Sequence, residues 1–145
     1  MIITIPGRPV AKARPRFARR GKFVTTYNDQ QTEEGKVLFE IQKQWQRAPL
    51  AGPLAIEFGF YMPRPKGHYG TGRNAEKLKM SVPAYPVTKP DIDNLIKFYL
   101  DCMNGVVFED DRQIVICHAI KEYLFLNMPG NYHVGGWTEV RVKNA

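Results

Sequence analysis

The sequence predicts a mixed α/β chain of the α+β type: a mixed β-sheet of about four strands with two main helices. Three observations carry this. Residues 54–62, LAIEFGFYM, alternate so that Leu54, Ile56, Phe58, Phe60 and Met62 point one way, as in a half-buried strand. Ile92, Leu95, Ile96, Tyr99, Leu100 and Met103 recur at the spacing of one helix face. The segments run strand, arm, helix, strand, loop, helix, strand, strand, and helices on one face of the sheet is the simplest layering.

The elements follow in order. Met1 to Pro6 reads as a short strand with Ile3 and Ile5 on one face. Residues 7–27 are rich in Pro, Arg and Gly and form a basic arm carrying Phe17, Phe23 and Tyr27. Asn28 or Asp29 caps a helix running to about Arg47, with Val37, Leu38, Ile41 and Trp45 on its apolar face. Gly52-Pro53 breaks the chain before the alternating strand. Residues 63–89 show no periodicity, and a loop of that length in a compact domain is usually functional or disordered; a short helix over 74–79 is the one element expected in it. The helix beginning at Ile92 stops at Asn104-Gly105, a good C-cap pair. A strand from Gln113 to about Leu126 follows, then a Pro129-Gly130-Asn131 turn and a last strand over Thr138 to Lys143.

The chain has 145 residues, the length of one domain, taken as 1–145. No apolar run approaches the roughly 20 residues of a membrane span, so no membrane is expected. Two cysteines, Cys102 and Cys117, without metal-type spacing or a secretory leader, point to a reducing cytoplasm and free thiols. The net charge is +7, but it is clustered. Residues 8–22 carry seven basic residues and no acid, and residues 64–89 carry six against Glu76 alone; together they hold +12 and leave the rest at −5. Such clustering favours a polyanionic partner, usually nucleic acid. The candidate phosphate contacts are Lys12, Arg14, Arg16, Arg19 and Arg20 in the arm and Lys66, Arg73 and Lys89 in the loop. Phe17, Phe23, Tyr27 and Tyr69 lie among them, placed either to stack on unpaired bases or to anchor loops.

Against this basic background the stretch KPDIDNLIK, residues 89–97, sets Asp91 and Asp93 at the start of the second helix. Two accounts compete. Asp91 is an ideal N-cap and Asp93 a favoured first-turn acid, each worth about 0.3–1 kcal/mol. Asp93–Lys97 and Lys97–Asp101 are helix-surface pairs of a few tenths of a kcal/mol. The alternative is a metal centre, because Glu109-Asp110-Asp111 follows at the head of the next strand. Gathered carboxylates repel, by about 4 kcal/mol for a pair ~4 Å apart at an effective dielectric near 20, unless a cation offsets them. Hard oxygen ligands suit Mg²⁺ or Mn²⁺, which also bind phosphates. For these to be one cluster, residues 105–108 must span the distance back to the helix start, and an extended run advancing about 3.3 Å per residue is expected to cover it. A basic surface beside such a cluster fits metal-assisted phosphodiester hydrolysis, with Lys97 as a point cation for developing phosphate charge. A nucleic-acid-binding protein whose acids only cap and pair, and a metal-dependent nuclease on flaps or RNA, remain alternatives.

KPDIDNLIKFYLDCMNG followed by VVFEDDRQIV resembles the RusA family of Holliday junction resolvases, and PGRPVAKARPRF and HYGTGRN…YPVTKPDIDN resemble its phage-type members. The most specific part is D-x-D-N-x-x-K joined to D-D-x-Q-[IV]. The resemblance implies a homodimeric, Mg²⁺-dependent endodeoxyribonuclease, for which Mn²⁺ can substitute, nicking a four-way DNA junction at symmetric positions during recombination and repair. It implies catalytic roles for Asp91, Asp93, Lys97 and Asp111, and metal ligation by Asp91, Asp93 and Asp111, with Asp110 weighted below Asp111. Asp101 is a family-like position of open role. A twofold dimer offers two equal sites to a nearly twofold junction, with Phe98 or Tyr123 available to its interface or to the core.

Overall fold

A computed structural model describes residues 1–14, 16–27, 30–124 and 135–145, with the side chains of 15–20 and 24–27 excepted. Strands β1 (Ile2–Pro6), β4 (Leu54–Met62), β5 (Ile114–Tyr123) and β6 (Trp137–Asn144) form one mixed sheet in the order β1-β6-β4-β5. β2 (Arg16–Arg20) and β3 (Phe23–Tyr27) form a separate antiparallel hairpin. Helices α1 (Gln31–Gln44) and α2 (Ile92–Met103) complete the fold.

Alternation decides the sheet's faces. Ile3 and Ile5 of β1, Leu54, Ile56, Phe58 and Phe60 of β4, and Val140 and Val142 of β6 join one core with Val37, Ile41 and Trp45 of the α1 region. Leu95, Phe98, Tyr99, Cys102 and Met103 of α2 enter the same core, so both helices cover one face. Phe98 and Tyr123 are buried within the chain, which assigns both to the core. Cys102 and Cys117 are free thiols, and burial pushes the Cys102 thiol up to about 12.

Several expectations need correction. The arm is not irregular throughout: Arg20 pairs with Phe23 across a two-residue loop, Gly21-Lys22, in which Gly21 takes φ +61°. That left-handed turn matches strand twist and makes the hairpin. Helix α1 starts at Gln31 with Gln30 in the capping position; Asn28 and Asp29 lie outside the described residues. Residues 74–79 form no α-helix. The 63–89 loop instead holds two 3-10 turns, Lys66–His68 and Gly72–Asn74, and a Tyr69–Leu78 bridge. A side chain at Gly70 would put its Cβ 2.6 Å from the Asn74 carbonyl oxygen, so the close crossing there needs glycine.

The last strand is not a neighbour of β5. It inserts between β1 and β4, antiparallel to both, while β5 runs parallel to β4. The expected turn at Pro129-Gly130-Asn131 lies outside the described residues. β5 is left as an edge strand, with Val115, Ile116 and Ile120 exposed. The apolar arc of α2 is wider than the core uses. Leu95, Phe98, Tyr99 and Cys102 are buried, whereas Ile92 is exposed and Ile96 and Leu100 are half-buried. The i, i+4, i+8 stripe Ile92–Ile96–Leu100 therefore reaches the protein surface.

Candidate active site

Asp91 occupies the N-cap position of α2 with extended backbone (φ −73°, ψ 144°), yet its side chain makes no capping hydrogen bond. The capping account is thus not realised: the carboxylate does not turn back onto the helix amides, a bond usually worth about 1 kcal/mol. The helix-surface pairs are not realised either. Asp93 and Lys97 are exposed, and no ion pair within 4.0 Å joins Lys97 to Asp93 or Asp101. The acids at the mouth of α2 are left to solvent.

The second acidic group is built differently. Asp111 to Gln113 form a 3-10 turn rather than the start of an extended strand. Asp110 caps it, accepting from the Arg112 backbone N–H at 2.9 Å and pairing with the Arg112 guanidinium at 2.8 Å. That side-chain bond, aided by the backbone one, holds the Asp110 carboxyl below its ordinary value. Gln113 Oε1 accepts from the backbone N–H groups of Glu109 and Asp110 (2.9 and 3.0 Å), and its Nε2 donates to the carbonyls of Leu50 and Gly52 (3.0 and 3.1 Å). Asp110 is committed to structure and Asp111 is exposed beside it. Gln113 went unassigned in the sequence, although Asp-x-x-Gln at 110–113 has the spacing of a capping box.

The two acidic groups stand at opposite ends of α2. Residues 105–108 do not reach back along the helix. Gly105 N–H bonds the Phe108 carbonyl at 2.8 Å, and Phe108 bridges Asn104 and Leu50. The turn bearing Asp111 is therefore tied to the C-terminal end of α2. From there β5 runs back, and Lys121 near its far end donates to the carbonyls of Thr88 and Pro90, next to Asp91. Twelve helical residues span ~18 Å, and seven strand residues span ~23 Å, so roughly 20 Å separates Asp111 from Asp91 and Asp93 in one chain. Among the described residues no group of three His, Cys, Asp or Glu side chains is gathered to hold a metal ion. One chain by itself does not fit a divalent cation at the expected site.

The basic residues divide. Arg14, Lys66, Arg73 and Lys89 are exposed. The backbone of Arg16, Arg19 and Arg20 lies in β2, and their side chains are outside the described set. Lys12 is not open to a phosphate: its ammonium lies 2.9 Å from Asp101 and 3.2 Å from Glu34. Its N–H also bonds the Asn94 carbonyl at 2.9 Å, so the root of the arm is fastened to the first turn of α2. Arg64 is likewise spent, on the carbonyls of Leu124 and Pro83.

Comparison with known proteins places the chain. The family Endodeoxyribonuclease RusA matches residues 6–126. The chain belongs to the RusA family. A relative in Bacillus subtilis (strain 168), described as uncharacterized protein YqaN, is 30% identical over 122 residues, covering 83% of this chain and 85% of that protein. The family match over residues 6–126 takes in both acidic groups, the arm and the long loop. It also spans Lys12, Gln113 and Lys121, whose contacts hold those segments in place. Among the described residues no helix of this RusA-family chain is long and apolar enough to cross a membrane.

Proposed function

We propose that this RusA-family chain is a divalent-metal-dependent endodeoxyribonuclease that resolves four-way DNA junctions by paired nicks, and that it works as a homodimer. The observation that carries this is the pair Asp91 and Asp93, held at a helix start without capping duty, within a chain that matches an endodeoxyribonuclease family over residues 6–126. Mg²⁺ is the expected ion, since all candidate ligands are carboxylate oxygens.

The separation of the acids supports the dimer. Among the described residues β5 has no strand on its outer edge and exposes Val115, Ile116 and Ile120, and the helix that touches it, α2, carries the partly exposed stripe Ile92–Ile96–Leu100. Apolar edges of this kind invite another strand. A second copy pairing antiparallel along β5 sets the start of one strand beside the end of the other. Centred on Cys117, such pairing sets the first residue of one β5, Ile114, opposite Ile120 of the other, so that the turn bearing Asp111 of the partner subunit lies just beyond, toward Tyr123 and the segment that leads into Asp91. Each end of the paired strands then gathers Asp91 and Asp93 of one subunit with Asp111 of the partner subunit, twice in one dimer. These three would hold the ion. When bound, it supplies a polarised phosphoryl oxygen and an activated water. Lys97, one helical turn beyond Asp93, places its ammonium for charge developing on the scissile phosphate. The exposed Arg14, Lys66, Arg73 and Lys89 grip the backbone.

The test is incubation with a synthetic four-way junction, with Mg²⁺ and with EDTA. Symmetric nicks that need the metal support the reading. Junction binding without cleavage under any divalent ion would reduce the protein to a DNA-binding one. Preference for flaps or RNA would change its substrate.

A further inference from the structure

Lys121 was not singled out by the sequence, and its contacts give it a role at the site. It lies on β5, yet its ammonium donates to the Thr88 carbonyl at 3.0 Å and the Pro90 carbonyl at 2.8 Å. These carbonyls flank Lys89 and end one residue before Asp91. Two donors of a half-buried lysine are thus directed at the segment that delivers the first acid.

The need for such a brace is visible on α2 itself. A helix entrance is commonly fixed by its N-cap side chain, and Asp91 makes no such bond. Pro90 has no N–H with which to hold the segment. Among the described residues the hydrogen bonds that hold this stretch are Lys12 N–H to the Asn94 carbonyl, Leu95 N–H to the Asp91 carbonyl, and the Lys121 pair. The first acts in the first turn of the helix and the second closes that same turn, so Lys121 holds the approach.

We propose that Lys121 is a positioning residue: by clamping the Thr88 and Pro90 carbonyls it sets the direction of the Asp91 carboxylate and leaves that carboxylate free for the metal. It rests on the nuclease reading above. Groups that orient ligands rather than ligate them typically change metal affinity or activity by about 10–100-fold when removed.

The experiment compares wild type, Lys121→Met and Lys121→Arg. Lys121→Met is expected to lose kcat on a four-way junction by about 10–100-fold and to need more Mg²⁺ for half-maximal rate. Its KM and its junction affinity in EDTA should stay within about twofold, since Lys121 makes no phosphate contact in this scheme. Lys121→Arg, which can donate to both carbonyls, should recover most of the rate. Wild-type kcat in Lys121→Met overturns the proposal, as does parallel loss of affinity and rate. Should Lys121→Met fail to fold, Lys121→Gln against Lys121→Arg decides: equal rates for the two overturn it. Amide hydrogen exchange separates this proposal from the reading beneath it. Faster exchange confined to the Leu95 region in Lys121→Met supports the clamp even if the wild type cuts no DNA. Unchanged exchange there refutes the clamp.

Discussion

Mixing two inactive variants is the sharpest consequence of finding the acids at opposite ends of α2. Asp93→Asn and Asp111→Asn are each expected to abolish cleavage as homodimers while retaining junction binding. In one chain their carboxylates lie roughly 20 Å apart, whereas two ligands of one Mg²⁺, each about 2.1 Å from the ion, lie within ~4 Å of each other. No rotamer change closes that difference, so one ion shared by these acids calls for the second subunit of the proposed homodimer. In a mixed dimer both lesions fall in one composite site and the other is intact. Tandem purification leaves only mixed dimers, each with one working site of two, so nicking should return to about half of the wild-type rate. The product should be a nicked junction rather than a resolved one, because paired cuts need both sites. The assay is co-expression with two different tags, tandem purification and cleavage of a labelled junction. A purified mixed dimer that stays as dead as its parents refutes the composite site, since sites built within one chain would carry one lesion each.

Other predictions follow from single contacts. Oxidation should link two chains through Cys117, and Cys117→Ser should abolish the link: directly opposed strand residues stand about 4.5–5.5 Å apart, within disulfide reach, and Cys102 is buried. Burial raises the Cys117 thiol above its ordinary value, so the reaction should quicken in alkali. Phe98→Ala should cost about 3–5 kcal/mol in denaturant unfolding, because the ring is wholly buried among core side chains. Arg14→Ala should make the salt dependence of junction binding shallower by about one unit of log–log slope, whereas Lys12→Ala should leave it unchanged. Burial lowers the Lys12 value, but its bonds to Asp101 and Glu34 outweigh this and raise it above 10.5. Its contribution to stability, at most about 1 kcal/mol for a pair this exposed, is therefore full below pH 10.5 and lost as pH rises through the folded value. Melting of wild type against Lys12→Ala across that range checks it.

The sheet and helices were legible because burial imposes periods that sequence displays: Leu54 to Met62 alternate, and Leu95 to Met103 repeat with the helix. The order of strands was not, since pairing of β6 between β1 and β4 depends on long-range contacts that leave no local period. The hairpin was missed although Gly21-Lys22 is a recognisable two-residue turn, because the charge of residues 16–20 masked it. At the site, the residue types were legible and their distances were not. Short linkage between α2 and β5 made proximity of the acids plausible, but the tight Asn104–Phe108 turn spends the linker at the wrong end. Lys12 shows the opposite failure: in sequence it belongs to a basic run, and only the fold reveals the two carboxylates waiting for it.

The interior place of β6 bears on how the chain is made. Among the described residues Trp137–Asn144 is the last strand to leave the ribosome, and it is the strand with which β1 pairs. Until then the N-terminal strand is unpaired, and β4 has one edge open. The sheet closes late, at a moment when both acidic segments and the cationic arm have already emerged.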